Sequence, residues 1–262
     1  TKNEWSGLTG IVTGAGSGIG AATSALLVEL GARVVGADLN PDGLDAASAR
    51  LVGRSGVFDP VVGDISDEET QDLIVRTAGR EGRIDFIVNN AAVFLLAGAS
   101  ATREQWTRTL DVNLVAAARL VGRAVPFLRN STAPAVVNIG SISAHRAQAD
   151  RWTYNSAKAA IVELTRCQAL DLAPIRVNSV SPGWIWTEVL ELASEGNREK
   201  WESVWGAYCP TLRCGEPEEV ATAIEFLLSR KASFITGADL PVDGGYLATS
   251  PEGPAVLALG KS

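Results

Sequence analysis

Short apolar runs alternate with longer helical patterns along nearly the whole chain, and this alternation limits the possible folds more than any other feature. The strand-type runs are apolar at consecutive positions, which is typical of strands covered on both faces. They lie at 10–14, 32–38, 56–64, 84–92, 134–141, 175–183 and 238–245. The sequence therefore predicts an α/β fold, a doubly wound sheet of about seven parallel strands with helices on both faces.

The helical patterns between these runs lie at 20–31, 68–79, 103–128, 152–172 and 218–228. No stretch of linker-like composition divides the chain of 262 residues, so we expect a single domain over 1–262, with 247–262 as a C-terminal tail. Residues 184–214 interrupt the alternation, because they are rich in Trp and Glu and predict one or two short helices. Open α/β sheets bind ligands at the carboxyl ends of their strands, so this insertion is a candidate substrate lid; an additional packing element is the alternative.

The charge and the apolar content of the chain exclude several classes of partner. The net charge is −7 and no basic run is present, so we expect no binding surface for nucleic acid or an anionic membrane. No apolar segment is long enough to cross a bilayer, and TKNEWSGLTG lacks the apolar core of a signal peptide. These observations predict a cytoplasmic protein.

The cysteines and the single histidine argue against a metal site. Cys167, Cys209 and Cys214 have no zinc-ligand spacing, and His145 is the only histidine. We favour reduced thiols in the cytosol, with a Cys209–Cys214 disulfide as the alternative.

A glycine-rich turn follows the first predicted strand and leads into the first predicted helix. Its sequence, TGAGSGIG at 13–20, places Gly14, Gly18 and Gly20 in a G-x-x-x-G-x-G spacing. Glycines allow a tight turn and let backbone N–H groups approach a pyrophosphate at the positive end of a helix. The strand before it, the helix after it and an acidic residue downstream make a dinucleotide site the favoured interpretation over an ordinary turn.

That acidic residue is Asp38, at the end of the second predicted strand. A carboxylate at this position accepts hydrogen bonds from the adenosine ribose and repels a 2′-phosphate. No Lys or Arg is present at Ala15, Ser17 or Leu39 to neutralise such a phosphate. We therefore expect NAD rather than NADP; a surface aspartate that merely ends the strand is the alternative.

Eight short motifs in order along nearly the whole chain resemble those of the short-chain dehydrogenase/reductase family in its single-domain form. They are TGAGSGIG, GDIS at 63–66, NNAA at 89–92, Asn113, Ser141, YNSAK at 154–158, SPGWIWT at 181–187 and ITGADLPVDGG at 235–245. The resemblance implies a Rossmann-type fold and hydride transfer to or from a nicotinamide cofactor. Ala92 departs from the family pattern, which usually has glycine there, and its methyl group is expected to tighten the pocket.

The resemblance also implies which residues hold the cofactor. Asp64 and Ile65 are expected at the adenine, Asn89 and Asn90 on the adenosine side of the cleft, and Ile185 with Thr187 at the nicotinamide carboxamide. The implied cofactor-binding set is Gly14, Ser17, Gly18, Ile19, Gly20, Asp38, Asp64, Ile65, Asn89, Asn90, Tyr154, Lys158, Gly183, Ile185 and Thr187.

Tyr154 and Lys158 are four residues apart on a predicted helix and therefore share a face. A free tyrosine has a pKa of about 10, and a neighbouring ammonium together with the positive nicotinamide ring is expected to lower it. Tyr154 would then exchange the proton of an alcohol, while Ser141 orients the substrate oxygen and Lys158 also binds the nicotinamide ribose. Asn113 resembles the family asparagine that supports a water beside this lysine. A Tyr/Lys pair on a solvated helix face is the alternative for the spacing alone.

The substrate is expected to contact the loop between Ser141 and Tyr154, the residues after NNAA, and the lid. Tryptophans concentrate in this loop and the lid, which favours an apolar or aromatic pocket wall. For His145, substrate contact and simple packing are equally weighted alternatives. The candidate substrate residues are Ser143, His145, Gln148, Trp152, Val93, Phe94, Trp184 and Trp186.

Together these features predict an NAD-dependent oxidoreductase that interconverts a secondary alcohol and a ketone, with an apolar or aromatic substrate. A polyol or sugar dehydrogenase of the same family is one alternative, and a catalytically silent NAD-binding sensor or scaffold is another. By resemblance, helices 103–128 and 152–172 pair between subunits, so a homotetramer is expected.

Overall fold

A computed structural model describes residues 4–250, and its core is one sheet of seven parallel strands. The strands are β1 (Thr9–Thr13), β2 (Arg33–Asp38), β3 (Val57–Val62), β4 (Phe86–Asn89), β5 (Ala135–Ile139), β6 (Arg176–Pro182) and β7 (Asp239–Val242). Their order is β3-β2-β1-β4-β5-β6-β7, with Ile11 of β1 opposite Val35 of β2 and Ile87 of β4. The chain reverses its direction of growth between β3 and β4, which confirms the predicted doubly wound, Rossmann-type sheet.

Nine α-helices cover the sheet within the described residues. They are α1 (Gly18–Glu29), α2 (Pro41–Leu51), α3 (Glu68–Ala78), α4 (Arg103–Leu110), α5 (Ala116–Leu128), α6 (Trp152–Asp171), α7 (Glu188–Ala193), α8 (Arg198–Gly206) and α9 (Pro217–Leu228). Helix α2 was not predicted, although Asn40 caps it through the N–H groups of Asp42 and Gly43 and proline occupies its first turn.

Alternate residues of each strand enter opposite core layers. Val12 packs with Leu27 of α1 and Ile224 of α9, whereas Ile11 packs with Ile74 of α3 and Leu120 of α5. Because both faces of β1, β2, β4 and β5 are buried, their sequences are largely continuous apolar runs rather than alternating ones. This double covering explains why the strand runs were recognisable in the sequence.

The helical pattern predicted at 103–128 is two helices joined by a π-helical turn, Asp111–Val115. A π turn shifts backbone pairing by one residue and often marks a functional position. Asn113, one of the residues implied in catalysis, lies within it.

The insertion predicted at 184–214 contains the two short helices α7 and α8. The ring of Trp205 stacks on those of Trp184 and Trp201, with centroids 5.6 and 4.9 Å away. This aromatic cluster packs the insertion against the carboxyl end of the sheet. The apolar part of the predicted tail, at 255–259, lies outside the described residues.

Candidate active site

One cavity of about 570 Å³ runs along the carboxyl ends of the strands, from Asp38 at the end of β2 to Trp205 of α8. Its position is the crevice in which doubly wound sheets bind dinucleotides. The cavity brings together most of the residues that the sequence singled out, and it divides into a dinucleotide end and a substrate end.

The glycine-rich turn forms the floor of the dinucleotide end. Gly14 and Gly18 have φ values of 67° and 49°, a left-handed conformation that favours glycine. A Cβ on Gly20 would lie 1.9 Å from the carbonyl oxygen of Gly14, so the turn can close only around a glycine. Gly14, Ser17, Gly18 and Ile19 line the cavity, whereas Gly20 lies behind the wall as a packing residue.

The start of α1 has the chemistry that a pyrophosphate requires. The Ser17 side chain makes no capping hydrogen bond there, and no acidic residue occupies the first turn. The N–H groups at this end of a 12-residue helix are therefore directed at the cavity without a competing acceptor from the cap. These residues fit the phosphates of a dinucleotide.

Asp38 lies at the cavity wall with its carboxylate held by backbone. Oδ2 accepts a hydrogen bond from the N–H of Gly16 at 2.9 Å, and Oδ1 accepts one from the N–H of Asn40 at 2.9 Å. The two bonds fix the orientation of the carboxylate beside the glycine turn. Each oxygen retains lone-pair capacity for a ribose hydroxyl.

Asp64 and Ile65 also line the dinucleotide end, and Asp64 is paired with Arg108 of α4. The Arg108 guanidinium contacts Asp64 Oδ2 at 2.8 Å and Ser66 Oγ at 2.9 Å. Partial burial raises the pKa of Asp64, but the hydrogen bonds from Arg108 and Ser66 outweigh it and hold that pKa below its usual value. Arg108 is a cavity residue that the sequence analysis missed.

The neighbouring residues Asn89 and Asn90 have different positions. Asn90 lines the cavity, and its amide donates to the carbonyl oxygens of Thr13 and Gly14 at 2.9 and 3.2 Å. Asn89 does not line it, because it points into the sheet and donates to Asn138 Oδ1 at 2.8 Å. The expectation that both asparagines face the adenosine is thus corrected for Asn89. It is the last residue of β4 and is held by Asn138 of the neighbouring β5, whereas Asn90 follows the strand and faces the cleft.

The segment after β6 closes the cavity from the other side. Gly183, Ile185 and Thr187 line it, as expected from the resemblance. The Thr187 side chain lies close to Gly18, whose hypothetical Cβ would be 3.2 Å from the threonine methyl. The glycine turn and this segment therefore approach each other across the cleft.

Tyr154, Lys158 and Ser141 meet at the junction of the two ends. Lys158 is buried, its Nζ donates to the carbonyl oxygen of Ile139 at 2.7 Å, and it lies 5.7 Å from the centroid of the Tyr154 ring. Ser141 Oγ accepts a hydrogen bond from the N–H of Ser143 at 3.1 Å, which leaves its own proton available. The Tyr154 ring makes an edge-to-face contact with Phe94 at 4.8 Å.

Burial dominates the electrostatics of this group. It raises the pKa of the Tyr154 hydroxyl, and the opposing effects of the Ser141 hydroxyl and the Arg151 guanidinium are smaller. Burial also lowers the pKa of Lys158 to about 8. In the chain alone the pKa of Tyr154 is therefore raised rather than lowered as expected, because desolvation dominates and Lys158, which donates to Ile139, is not among the groups that lower it.

Asn113 lies near this group but outside the cavity wall. Its side chain makes two hydrogen bonds with the backbone of Val93: Oδ1 accepts one from the N–H at 2.8 Å, and Nδ2 donates one to the carbonyl oxygen at 2.9 Å. The side chain thus fixes the segment that carries Phe94. The role implied by the resemblance, support of a water beside Lys158, remains a prediction.

The substrate end contains five of the eight predicted substrate residues: Val93, Phe94, Ser143, Gln148 and Trp184. His145 lies outside the cavity wall, with Nε2 at 2.8 Å from Asp239 Oδ2. Trp152 is 56% exposed and points away, and Trp186 is buried in the lid, where Nε1 donates to Glu191. For Trp152 and Trp186 the structure corrects the expected position, because α6 and the lid turn these side chains away from the cleft. For His145 it favours the packing alternative.

Other cavity residues at this end were not predicted. They are Leu96, Arg151, Val189, Leu190, Ala193 and Trp205. Arg151 is the residue before α6, so a scan for apolar helical spacing passes over it. Leu96, Val189, Leu190 and Ala193 carry no polar group that distinguishes them from packing residues. Trp205 was not named individually, but it belongs to the lid tryptophans that favoured an apolar or aromatic pocket wall.

A parallel α/β sheet with a glycine turn and a Tyr, Lys and Ser group at one cleft defines a dinucleotide-binding oxidoreductase. Comparisons with known proteins agree. A family model described as enoyl-(acyl carrier protein) reductase matches residues 14–247. The chain is 38% identical over 247 residues to cis-4-hydroxycyclohexanecarboxylate dehydrogenase of Sinomonas cyclohexanicum, covering 91% of this chain and 96% of the relative.

It is also 35% identical over 248 residues to galactitol 2-dehydrogenase (L-tagatose-forming) of Cereibacter sphaeroides, covering 92% of this chain and 95% of the relative. The crystal structure of levodione reductase superposes with a TM-score of 0.87 at 29% identity, over 94% of this chain and 100% of that one. The chain belongs to the short-chain dehydrogenase/reductase family. It is an oxidoreductase of that family, whose members use a nicotinamide cofactor, NAD or NADP.

Within residues 4–250, no helix combines the length and the apolar composition needed to cross a membrane. The three cysteines are free thiols, with Cys167 exposed and Cys209 and Cys214 buried.

Proposed function

We propose that the protein is an NAD-dependent dehydrogenase that interconverts a secondary alcohol and its ketone. The observation that carries this proposal is the convergence of Ser141, Tyr154 and Lys158 on the cavity that also contains the glycine turn and Asp38. A silent dinucleotide-binding protein has no need for a buried lysine next to a tyrosine and a serine with a free proton. The energetic cost of burying Lys158 supports a catalytic function.

The side chains divide the work of the reaction. NAD⁺, when bound, would supply the hydride acceptor and a positive charge. Ser141 donates a hydrogen bond to the substrate oxygen and holds the carbinol carbon in line. Tyr154 takes the hydroxyl proton as base during oxidation and returns it as acid during reduction. Lys158, anchored at Ile139, binds the nicotinamide ribose and adds positive charge that stabilises the phenolate.

The preference for NAD rests on the dinucleotide end. Asp38 is held by two backbone N–H groups in an orientation suited to a ribose diol, and its charge opposes a 2′-phosphate. The described basic residues of the cavity do not compensate for it. Arg108 is paired with Asp64, Lys158 is buried at the catalytic end, and Arg151 lies at the substrate end.

An apolar or alicyclic substrate is favoured by the wall of the substrate end, formed largely by Phe94, Leu96, Trp184, Leu190 and Trp205. The similarity to a dehydrogenase of a hydroxycyclohexane acid supports this class. The similarity to galactitol 2-dehydrogenase favours a polyol as the second candidate. A polyol would require several hydrogen-bonding groups, and Ser143 with Gln148 is the main polar pair on this wall.

The test is NADH production with a panel of secondary alcohols that spans aryl, alicyclic, steroid and polyol classes. We expect turnover with NAD⁺ at a clearly higher kcat/KM than with NADP⁺, and highest with the alicyclic or aryl alcohols. Turnover restricted to polyols would favour the second candidate. Tight NADH binding without turnover of any alcohol or ketone would contradict the proposal in favour of a sensor.

We also propose that the protein is a homotetramer, that it is cytoplasmic and that its three cysteines are reduced. Light scattering is expected to give four times the mass of the chain, and a monomer mass would contradict the tetramer. Thiol titration of the denatured protein purified without reductant is expected to give three free thiols, as the structure contains three.

A further inference from the structure

Among residues 4–250, Arg151 is the one cation that lines the substrate end of the cavity, and the proposed function leaves it without a role. It lies three residues before Tyr154 and immediately precedes α6. Its guanidinium covers the Phe94 ring, with Cζ 4.9 Å from the ring centroid, and Nη1 donates to Gln148 Oε1 at 2.7 Å. Both contacts fix the position of the group without neutralising its charge.

The position of Arg151 is set by its surroundings. Gln148 Oε1 also accepts a hydrogen bond from Ser143 Oγ at 2.6 Å, so the acceptor of the arginine is itself held. The backbone of Arg151 forms a bridge with Ala97, and the N–H of Trp152 donates to the carbonyl of Ala97 at 3.0 Å. The guanidinium is therefore a preorganised group on the cavity wall rather than a mobile surface side chain.

No carboxylate balances this charge among residues 4–250. Of the three basic residues that line the cavity, Arg108 is paired with Asp64 and Lys158 donates to a backbone carbonyl, whereas Arg151 forms no ion pair with a described residue. Burial lowers the pKa of Arg151, and the only groups within the described residues that oppose this effect are the side chains of Tyr154 and Tyr246, neither of which is a carboxylate. A half-buried cation without a counter-ion costs free energy, which an anionic ligand would recover.

We propose that Arg151 binds a carboxylate of the substrate, so that the enzyme acts on secondary alcohols that are also acids, or on the corresponding keto acids. The planar guanidinium presents several N–H donors and suits a bidentate contact with a carboxylate. The apolar wall formed by Phe94 and Leu96 holds the carbon skeleton between the two polar ends. Ser141 and Tyr154 receive the carbinol at one end, and Arg151 receives the carboxylate at the other. This inference rests on the proposed alcohol dehydrogenase activity.

The experiment compares hydroxy acids with their carboxamides and methyl esters, in an aliphatic and a cyclohexane series. We expect wild-type kcat/KM with NAD⁺ to be at least about 30-fold higher for an acid than for its amide. In Arg151→Gln this acid-to-amide ratio is expected to fall to near one, and Arg151→Lys is expected to restore part of it. The ratio cancels any effect of Arg151 on Tyr154, because both substrates share that effect. Arg129→Gln, an exposed arginine at the end of α5, is the matched control and is expected to keep the wild-type ratio.

Binding provides a readout that does not depend on turnover. The hydroxy acids and amides are titrated into the complex of the protein with NADH, and the dissociation constants are followed by NADH fluorescence. Acid binding that is at least tenfold tighter than amide binding, and that Arg151→Gln abolishes, supports the inference even if catalysis fails.

Three outcomes would overturn the inference. Equal loss of acid and amide turnover in Arg151→Gln would do so and would show that Arg151 acts through Tyr154 instead. Turnover of amides and esters as good as that of acids in the wild type would overturn it and leave the proposed function intact. The absence of carboxylate-dependent binding across the panel would also overturn it.

Discussion

The part of the dinucleotide end around the glycine turn is built from one short stretch of backbone and the Asp38 carboxylate, whereas the substrate end is assembled from side chains on separate segments. The glycine turn, the start of α1 and Asp38 lie within the first βαβ unit and are joined by local hydrogen bonds. The substrate end combines the segment after β4, the loop before α6 and the lid helices. Local constraints leave a recognisable spacing in a sequence, but a wall made of distant segments does not. The part around the glycine turn was therefore easier to predict than the substrate end, and the predictions below test the two ends and the junction between them.

The largest effect is expected from Tyr154→Phe, at the junction of the two ends. Loss of the hydroxyl removes the proton carrier, so kcat should fall by about 10²–10⁴-fold. The dissociation constant of NADH should change by less than about threefold, because the glycine turn and Asp38 are intact. Steady-state kinetics and fluorescence titration measure the two quantities. Tyr208→Phe removes a hydroxyl outside the cavity wall and is expected to retain wild-type kcat; near-normal kcat in Tyr154→Phe would reject the assigned base.

Asp38→Ser probes the dinucleotide end alone. Loss of charge-assisted hydrogen bonds to the ribose should lower kcat/KM for NAD⁺ by about 10–100-fold, and removal of the repulsion should improve NADP⁺ relative to NAD⁺. The ratio of the two kcat/KM values is the measurement. Asp42→Ser, an exposed change in the first turn of α2, should leave that ratio at its wild-type value. An unchanged ratio in Asp38→Ser would show that this carboxylate does not select the cofactor.

Lys158→Met tests the cost of the buried lysine at the junction. The pKa of Lys158 is lowered to about 8, so between that pH and about 10.5 the unfolded chain binds more protons than the folded chain. The free energy of unfolding of the wild type, measured without cofactor, should therefore rise by about 1 kcal/mol relative to Lys158→Met between pH 7 and pH 9. Urea denaturation at the two pH values gives the difference, in which other titrating groups cancel. A difference that stays constant with pH would mean that this lysine is not desolvated.

The smallest effect is expected from His145→Gln, which tests whether a residue outside the cavity wall influences the choice of substrate. His145 contacts Asp239 outside the cavity, so kcat/KM should stay within about twofold of the wild type for every substrate of the panel. A selective loss of kcat/KM for one class of substrate would show that His145 contacts the substrate.

The fold was largely predictable because its inner strands are buried on both faces and most of its helices are long. All seven strands and their parallel arrangement follow from that pattern, whereas α2 was missed because its sequence, PDGLDAASARL, is only weakly apolar. At the site, Gly14, Asp38, Ser141, Tyr154 and Lys158 were predicted and share the cavity.

The substrate end was less predictable because side-chain direction depends on the exact position of each helix and strand. Asn89 and Asn90 are adjacent, yet one faces the sheet interior and the other the cleft. Trp152 and Arg151 are also adjacent. The tryptophan was predicted to contact the substrate but points to solvent, whereas Arg151, which was not predicted, lines the cavity. Arg151 and Arg108 carry no local signature, since an arginine at the start of a helix or on a helix face is ordinarily a surface residue.

The backbone bridge between Ala97 and Arg151 has a consequence for how this enzyme could acquire new substrates. It ties the segment after β4 to the first turn of the helix that carries Tyr154. Insertions or deletions at 94–98 would therefore shift Tyr154, the proposed proton carrier, along with the pocket wall, and most would be expected to inactivate the enzyme. Helices α7 and α8 have no such tie to α6, so changes of substrate preference, in evolution or in the laboratory, should accumulate there while the catalytic helix stays fixed.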